Sequence, residues 1–266
     1  MHLELLDIQR RVQARIPLPS FDFNARVLTY HQAEARPLLR FEDIPLELTD
    51  LRLVVRQTAE VLHRFDALDD AEFQKAQALG RDVDLLAVIG NWYRASTERH
   101  LTASVGVGSP GVAAPAAATG APPPDNGTLD QVLLLAMRPF LSRCAETAQQ
   151  RPELAIWQHP FCALCGGEPD LAVITPAAER HLICGRCGLR WKFEPLTCPY
   201  CRNSDRSRIT SFATPDGLYR VYACDVCTRY LKAYDGRRAN RPVMPVVDSV
   251  ATLPLDAAAM QKGYTG

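Results

Sequence analysis

The sequence predicts an α+β chain, an all-α N-terminal domain followed by two small β-rich modules that each carry four cysteines. Three observations carry this reading. Apolar residues recur at helical intervals through the first half, the chain changes after Pro160 to short β-rich runs broken by Gly and Pro, and four Cys-x-x-Cys pairs are confined to that second part. At 266 residues and 47% hydrophobic composition the chain can build a packed core and more than one domain, since a domain takes roughly 100 to 200 residues.

In chain order, Leu5, Leu6, Ile8, Val12 and Ile16 predict a short amphipathic helix over 3–16, stopped by Pro17 and Pro19. A stronger helix is expected over 45–65, where Leu48, Leu51, Val55, Ala59 and Leu62 form one face and Arg52, Arg56 and Glu60 the other. Two more are expected over 69–79 and 82–96, the second with Leu85, Leu86, Ile89, Trp92 and Tyr93 on or near one side. Between 102 and 127 the sequence is Gly, Ala, Pro and Ser with Asp125 as its one charge, which predicts a mobile loop. Helical character returns over 128–157, with Pro139 expected to bend or restart the helix and Cys144 as a small buried apolar residue. Beyond it, 206–213 and 218–224 flank Asp216-Gly217 and predict a β-hairpin, and 257–262 predicts one short terminal helix. The expected division is a helical domain over 1–157, a first module over 158–196, a second over 197–250 and a tail over 251–266.

Thirty basic against thirty acidic residues give zero formal charge, which removes the global attraction most nucleic-acid binders use. Met1 to Asp7 lacks a basic region followed by an apolar core, and no run approaches the roughly 20 apolar residues of a membrane span. The expectation is a soluble, cytoplasmic protein whose thiols are reduced.

The pairs are Cys162 with Cys165, Cys184 with Cys187, Cys198 with Cys201 and Cys224 with Cys227, separated by 18, 10 and 22 residues. Such a pair sets two sulfurs on one side of a tight turn, and a second pair returned by a hairpin completes a tetrahedron around a metal at about 2.3 Å. The two longer intervals hold strand-like sequence, so the first pair is expected to join the second and the third the fourth. An interleaved pairing would use the same eight ligands. Gly166 and Gly188 follow their knuckles and suit a positive φ, whereas Arg202 and Thr228 stand in the equivalent places and predict a looser second module.

Four thiolates suit zinc and iron alike, and spacing does not separate them. With all four positions taken by cysteine there is no open coordination site, and no phosphate loop, carboxylate pair or nucleophile elbow accompanies them, so catalysis is not expected. Residues 159–241 hold 13 basic and 8 acidic side chains. Eight thiolates and two divalent ions add a net minus four, leaving about plus one, so the basic excess mostly offsets the clusters and no nucleic-acid partner is expected. His159 and His181 lie near the knuckles but are needed as ligands only if a cysteine is displaced, and Trp191, Tyr222 and Tyr230 are expected to pack over the clusters.

The segment Cys162-Ala-Leu-Cys165-Gly-Gly-Glu-Pro169, then Cys184-Gly-Arg-Cys187-Gly-Leu-Arg-Trp191, then Cys224-Asp-Val-Cys227-Thr-Arg-Tyr-Leu-Lys232 resembles the formate dehydrogenase accessory protein family, FdhE. The resemblance extends to Ala259–Tyr264 and more loosely to 38–86, while the Ala/Pro/Gly stretch and the short C terminus depart from it. It implies a helical domain joined to two rubredoxin-like or zinc-ribbon-like modules. It also implies an accessory factor, not itself the enzyme, that binds the catalytic subunit of a respiratory formate dehydrogenase in the cytoplasm before export. On the same ground all eight paired cysteines become ligands and iron, two ions in all, comes before zinc. A zinc-ribbon nucleic-acid binder and a rubredoxin-like electron carrier are the alternatives.

Overall fold

The computed structural model describes residues 1–21, 23–105 and 127–266, with backbone alone over 98–105. Its helices and strands run α1 His2–Gln13, α2 Ala25–Ala33, α3 Leu48–Arg64, α4 Asp70–Leu79, α5 Leu85–Val105, α6 Gly127–Ala148, β1 Pro169–Ile174, β2 Arg180–Cys184, β3 Arg190–Phe193, β4 Ile209–Ala213, β5 Tyr219–Cys224, β6 Tyr230–Asp235, α7 Pro245–Ala251 and α8 Leu253–Gln261. A helical N-terminal region therefore precedes a β-sheet region that carries the cysteine pairs. By internal contacts, Met1–Pro19 with Leu39–Cys144 form one unit and Ser20–Leu38 with Ala145–Gly266 a second. No helix among the described residues is long and apolar enough to cross a membrane.

In the first unit most of the predicted apolar face is buried, although Leu6, Leu48 and Trp92 are half-buried and Leu86 is exposed. α3 buries Leu51, Val54, Val55, Ala59, Val61 and Leu62, and it packs against α1 and α4. Each of these Leu and Val side chains contributes on the order of 2 kcal/mol by leaving water. α4 opens with a capping box in which Asp69 accepts from the Glu72 backbone and Glu72 accepts from that of Asp69. Of the bend or restart that Pro139 predicts, the restart does not occur, since α6 is continuous through it. A proline has no N–H for the carbonyl four residues back, here Leu135, and buried Gln9 of α1 donates its side-chain amide to that oxygen at 3.0 Å. The stretch read as a mobile loop over 102–127 is helical at both described ends, in α5 and α6, and 106–126 lies outside the described residues.

The second unit is built on one six-stranded sheet, ordered β3-β2-β1-β6-β5-β4. Within each half the strands pair antiparallel, β1 with β2 and β2 with β3, then β4 with β5 and β5 with β6. The halves join where β1 lies parallel to β6, Leu171 opposite Lys232 and Ile174 opposite Asp235. The hairpin at Asp216-Gly217 forms as predicted, Gly217 taking φ 70°. One face of β5 and β6, through Val221, Ala223 and Tyr230, is covered by Leu255 and Ala259 of α8. α2 and α7 are additional to the predicted elements.

Candidate metal centres

All four knuckles fold alike. The backbone N–H of the residue after each pair donates to the carbonyl of its first cysteine, Gly166 to Cys162 and Gly188 to Cys184 at 3.0 Å, Arg202 to Cys198 and Thr228 to Cys224 at 2.9 Å. Each first cysteine in turn donates its N–H to the residue five positions on, at 2.9 Å in every case. This turn needs the left-handed region after the second cysteine, and Gly166, Gly188, Arg202 and Thr228 have φ of 68°, 77°, 60° and 56°. Glycine adopts it freely, whereas a β-branched threonine is strained there by about 1–2 kcal/mol. Thr228→Gly should therefore raise the unfolding free energy by about 1 kcal/mol, read from urea unfolding of the metal-loaded protein. A loss of stability would show that the Thr228 side chain outweighs its backbone strain. Gly167 is fixed by space, since a Cβ there would stand 2.8 Å from the Cys184 sulfur.

The turns bring Cys162, Cys165, Cys184 and Cys187 into one group and Cys198, Cys201, Cys224 and Cys227 into another, all sulfurs of a group within 4.8 Å of one another. The grouping is the sequential one. Cys162 lies 3.5 Å from Cys187 and Cys165 3.5 Å from Cys184, while Cys198 lies 3.7 Å from Cys227 and Cys201 3.6 Å from Cys224. These separations far exceed the roughly 2.05 Å of a disulfide. They match the roughly 3.8 Å edge of a tetrahedron with 2.3 Å metal–sulfur bonds. Each group could thus hold one metal ion, and the donor set leaves zinc and iron equally suited.

The two sites differ in exposure. All four first-site cysteines are buried, whereas Cys201 and Cys227 of the second are partly exposed. In the first site backbone N–H groups of Arg186 and Leu189 approach the sulfurs of Cys184 and Cys187 at 3.4 Å, which stabilises thiolate. Burial pushes the Cys162 and Cys187 thiols up. Burial also opposes ionisation of Cys184, but hydrogen bonds from Cys162, Cys165 and Cys187 overcome it and carry that group down. In the second site the hydrogen bond from Cys227 brings Cys198 down to about 5, and burial lifts Cys201 to about 11. Protons are thus shared unevenly within each group, and a bound ion displaces them, so acid opposes loading.

The aromatic and histidine residues near the knuckles divide by role. Trp191 is buried and donates Nε1 to the His159 carbonyl at 3.0 Å, and His159 Nε2 meets the Gln32 carbonyl at 2.7 Å. His181 lies 3.6 Å from Glu179, and neither histidine joins a cysteine group. Tyr230 packs with α8 and donates to Asp256 at 2.7 Å. Sequence reasoning passed over the tie between the two centres. Arg229 makes a bidentate pair with Glu168 at 3.0 and 2.8 Å, its guanidinium lies 3.6 Å from the Tyr200 ring centre, and the Tyr200 hydroxyl donates to the Pro169 carbonyl at 3.2 Å. Along β2 the alternation Arg180, Leu182, Cys184 puts Arg180 on the face of Cys184.

No family model matches the chain. Curated relatives called Protein FdhE, from Escherichia coli O1:K1 / APEC and from Escherichia fergusonii, are each 29% identical over 110 residues, covering 40% of this chain and 35% of the relative. The aligned part thus spans about a third of the length of these relatives. Among solved structures, the FdhE protein from Pseudomonas aeruginosa superposes with a TM-score of 0.55 at 17% identity, over 98% of this chain and 83% of that one. The fold is shared along almost the whole chain, while the detectable sequence similarity is confined to a smaller segment.

Proposed function

Taking as premise that the chain resembles the FdhE proteins in sequence and has the fold of one of them, we propose that it is an accessory factor for a respiratory formate dehydrogenase. In this reading it binds the catalytic subunit of that enzyme in the cytoplasm, before export, and serves assembly or activation without being an enzyme itself. The observation that carries the reading is the pair of four-cysteine groups in one sheet, on that shared fold. Cys162, Cys165, Cys184 and Cys187 hold one ion, and Cys198, Cys201, Cys224 and Cys227 the other. Iron is the first assignment for both, with zinc as the alternative. Four thiolate ligands leave no position for substrate or water, so each ion stiffens its module and, as iron, can exchange an electron. The parallel β1–β6 pairing and the Glu168–Arg229 pair hold both modules in one sheet, which offers a client a rigid surface.

The test is to purify the tagged full chain without oxygen from cells expressing a formate dehydrogenase. Elemental analysis and a visible spectrum should give about two iron ions per chain with thiolate charge-transfer bands, and the catalytic subunit should be retained. Two colourless zinc ions with the subunit retained would keep the accessory role and reassign the metal. Failure to retain the subunit, together with salt-dependent RNA or DNA binding, would overturn the role.

A further inference from the structure

On the sheet face opposite α8, a cavity of about 190 Å³ lies against the second metal centre. Ile174, Ile209, Tyr222 and Leu231 are among the residues of its apolar wall, and Cys198 and Cys224 also line it. Its volume exceeds the roughly 150 Å³ that accommodates a benzene ring in an apolar protein cavity. The space therefore suits a ring or short branched chain with one small polar group attached.

Three arginines reach this wall, and their partners differ. Arg229 is paired with Glu168 and Arg237 with Asp235, at 2.8 and 2.7 Å. Arg180 is 6% exposed, and no carboxylate among the described residues lies within ion-pair distance of it. Its Nη1 donates to the carbonyls of Thr197 at 2.7 Å and Glu194 at 3.4 Å, and its Nε is buried without a partner. A buried guanidinium with an unused donor is costly unless an acceptor, preferably charged, completes it.

We propose that this cavity is a binding site for a small monocarboxylate with an apolar body, its carboxylate held by Arg180 and its body against Ile174, Tyr222 and Leu231. A planar carboxylate matches the two-pronged guanidinium. Phosphate can also be held by a guanidinium, but as a dianion it is repelled about twice as strongly as a carboxylate by the two net negative charges that four thiolates around a divalent ion place behind Cys198 and Cys224. Two cysteines of the second centre and none of the first line the cavity, so binding should be reported by that centre alone.

The experiment titrates phenylacetate into the full chain loaded with cobalt(II) at both sites, by calorimetry and visible absorption. One saturable site is expected, with a spectral change that disappears in Cys227→Ser, which lacks a complete second centre. Phenylacetamide and inorganic phosphate should bind at least about tenfold more weakly. Arg180→Lys keeps the charge but not the fork and should weaken phenylacetate by about tenfold or more. Ile209→Trp, at the partly exposed rim, fills the space while leaving Arg180 in place and should abolish binding with cobalt content unchanged. Absence of saturation by about 10 mM, an affinity weaker than roughly 3 kcal/mol, would overturn the site. So would equal binding of acid and amide, or full binding by Ile209→Trp.

Discussion

Cys162→Ser should lower bound metal from two ions per chain to one and remove most of the stability of the β1–β3 half of the sheet. A structural ion held by four thiolates contributes on the order of 10 kcal/mol to folding, comparable to the whole stability of a domain. At the first site the loss has no compensation, because all four cysteines are buried and the remaining sulfurs would be left as unmetallated thiols in the interior. The backbone bond from the Cys162 N–H to the Gly167 carbonyl survives the substitution, so the expected loss is that of the sulfur alone. The second group shares no cysteine with the first and should stay metallated. Elemental analysis and thermal unfolding of Cys162→Ser beside Cys227→Ser provide the check. The first variant should lose more stability, since Cys227 is partly exposed and water can solvate its vacated position. Equal loss of metal from both sites in Cys162→Ser would mean that the groups do not load independently.

The second large effect is expected at Asp248, beyond the last of the paired cysteines. Its carboxylate is fully buried, accepts from the Tyr219 hydroxyl at 2.7 Å and the Met244 backbone at 2.6 Å, and pairs with Arg241. The Arg241 guanidinium also lies 5.4 Å from the Tyr234 ring centre, so one acidic group ties the start of α7 to strands β5 and β6. Asp248→Ala leaves Tyr219, Arg241 and a backbone N–H without their acceptor and should cost about 3 kcal/mol in urea unfolding. Tyr219→Phe should cost about 1 kcal/mol. Burial opposes ionisation of Asp248, but hydrogen bonds from Arg241, Tyr219 and Met244 outweigh it and hold the group below the usual carboxylate value. A depressed folded-state pKa stabilises fully above about pH 4 and loses that contribution as pH falls further. Asp248→Ala should accordingly lose part of the acid sensitivity of the wild type. A change within about 0.5 kcal/mol, the range of an ordinary surface substitution, would show that the network is not limiting.

The cysteine groups were legible because their determinants are local. A knuckle is specified within five or six residues, and a hairpin returns one pair to another without help from distant chain. The long helices were legible for a similar reason, since burial of Leu51, Val55, Ala59 and Leu62 follows from a single period. α2 was not, because it buries Leu28 alone and has no apolar stripe to detect; its one local sign was Asn24, whose side chain accepts from Val27 N. α7 buries only Asp248 and so has no apolar face either. The β1–β6 joint could not be read at all, since parallel pairing of strands some sixty residues apart leaves no mark on either strand. Arg180 was hidden differently. Its lack of a carboxylate partner is a property of the assembled sheet.

The two halves of the sheet repeat one plan, knuckle, strand, strand, knuckle, strand, with β1, β2 and β3 corresponding to β4, β5 and β6. They meet head to tail, the first strand of one repeat against the last strand of the other. A twofold arrangement would have mated like with like, whereas this translation consumes one margin of each kind and leaves the counterpart of each free. At the β3 margin the side-chain amide of Gln149 takes the place of a further strand, accepting from Arg190 N at 2.9 Å and donating to Arg190 O at 3.3 Å. Along the β4 margin no strand is paired among the described residues. The sheet is a ladder stopped at one end by a single glutamine and left with its next rung vacant at the other.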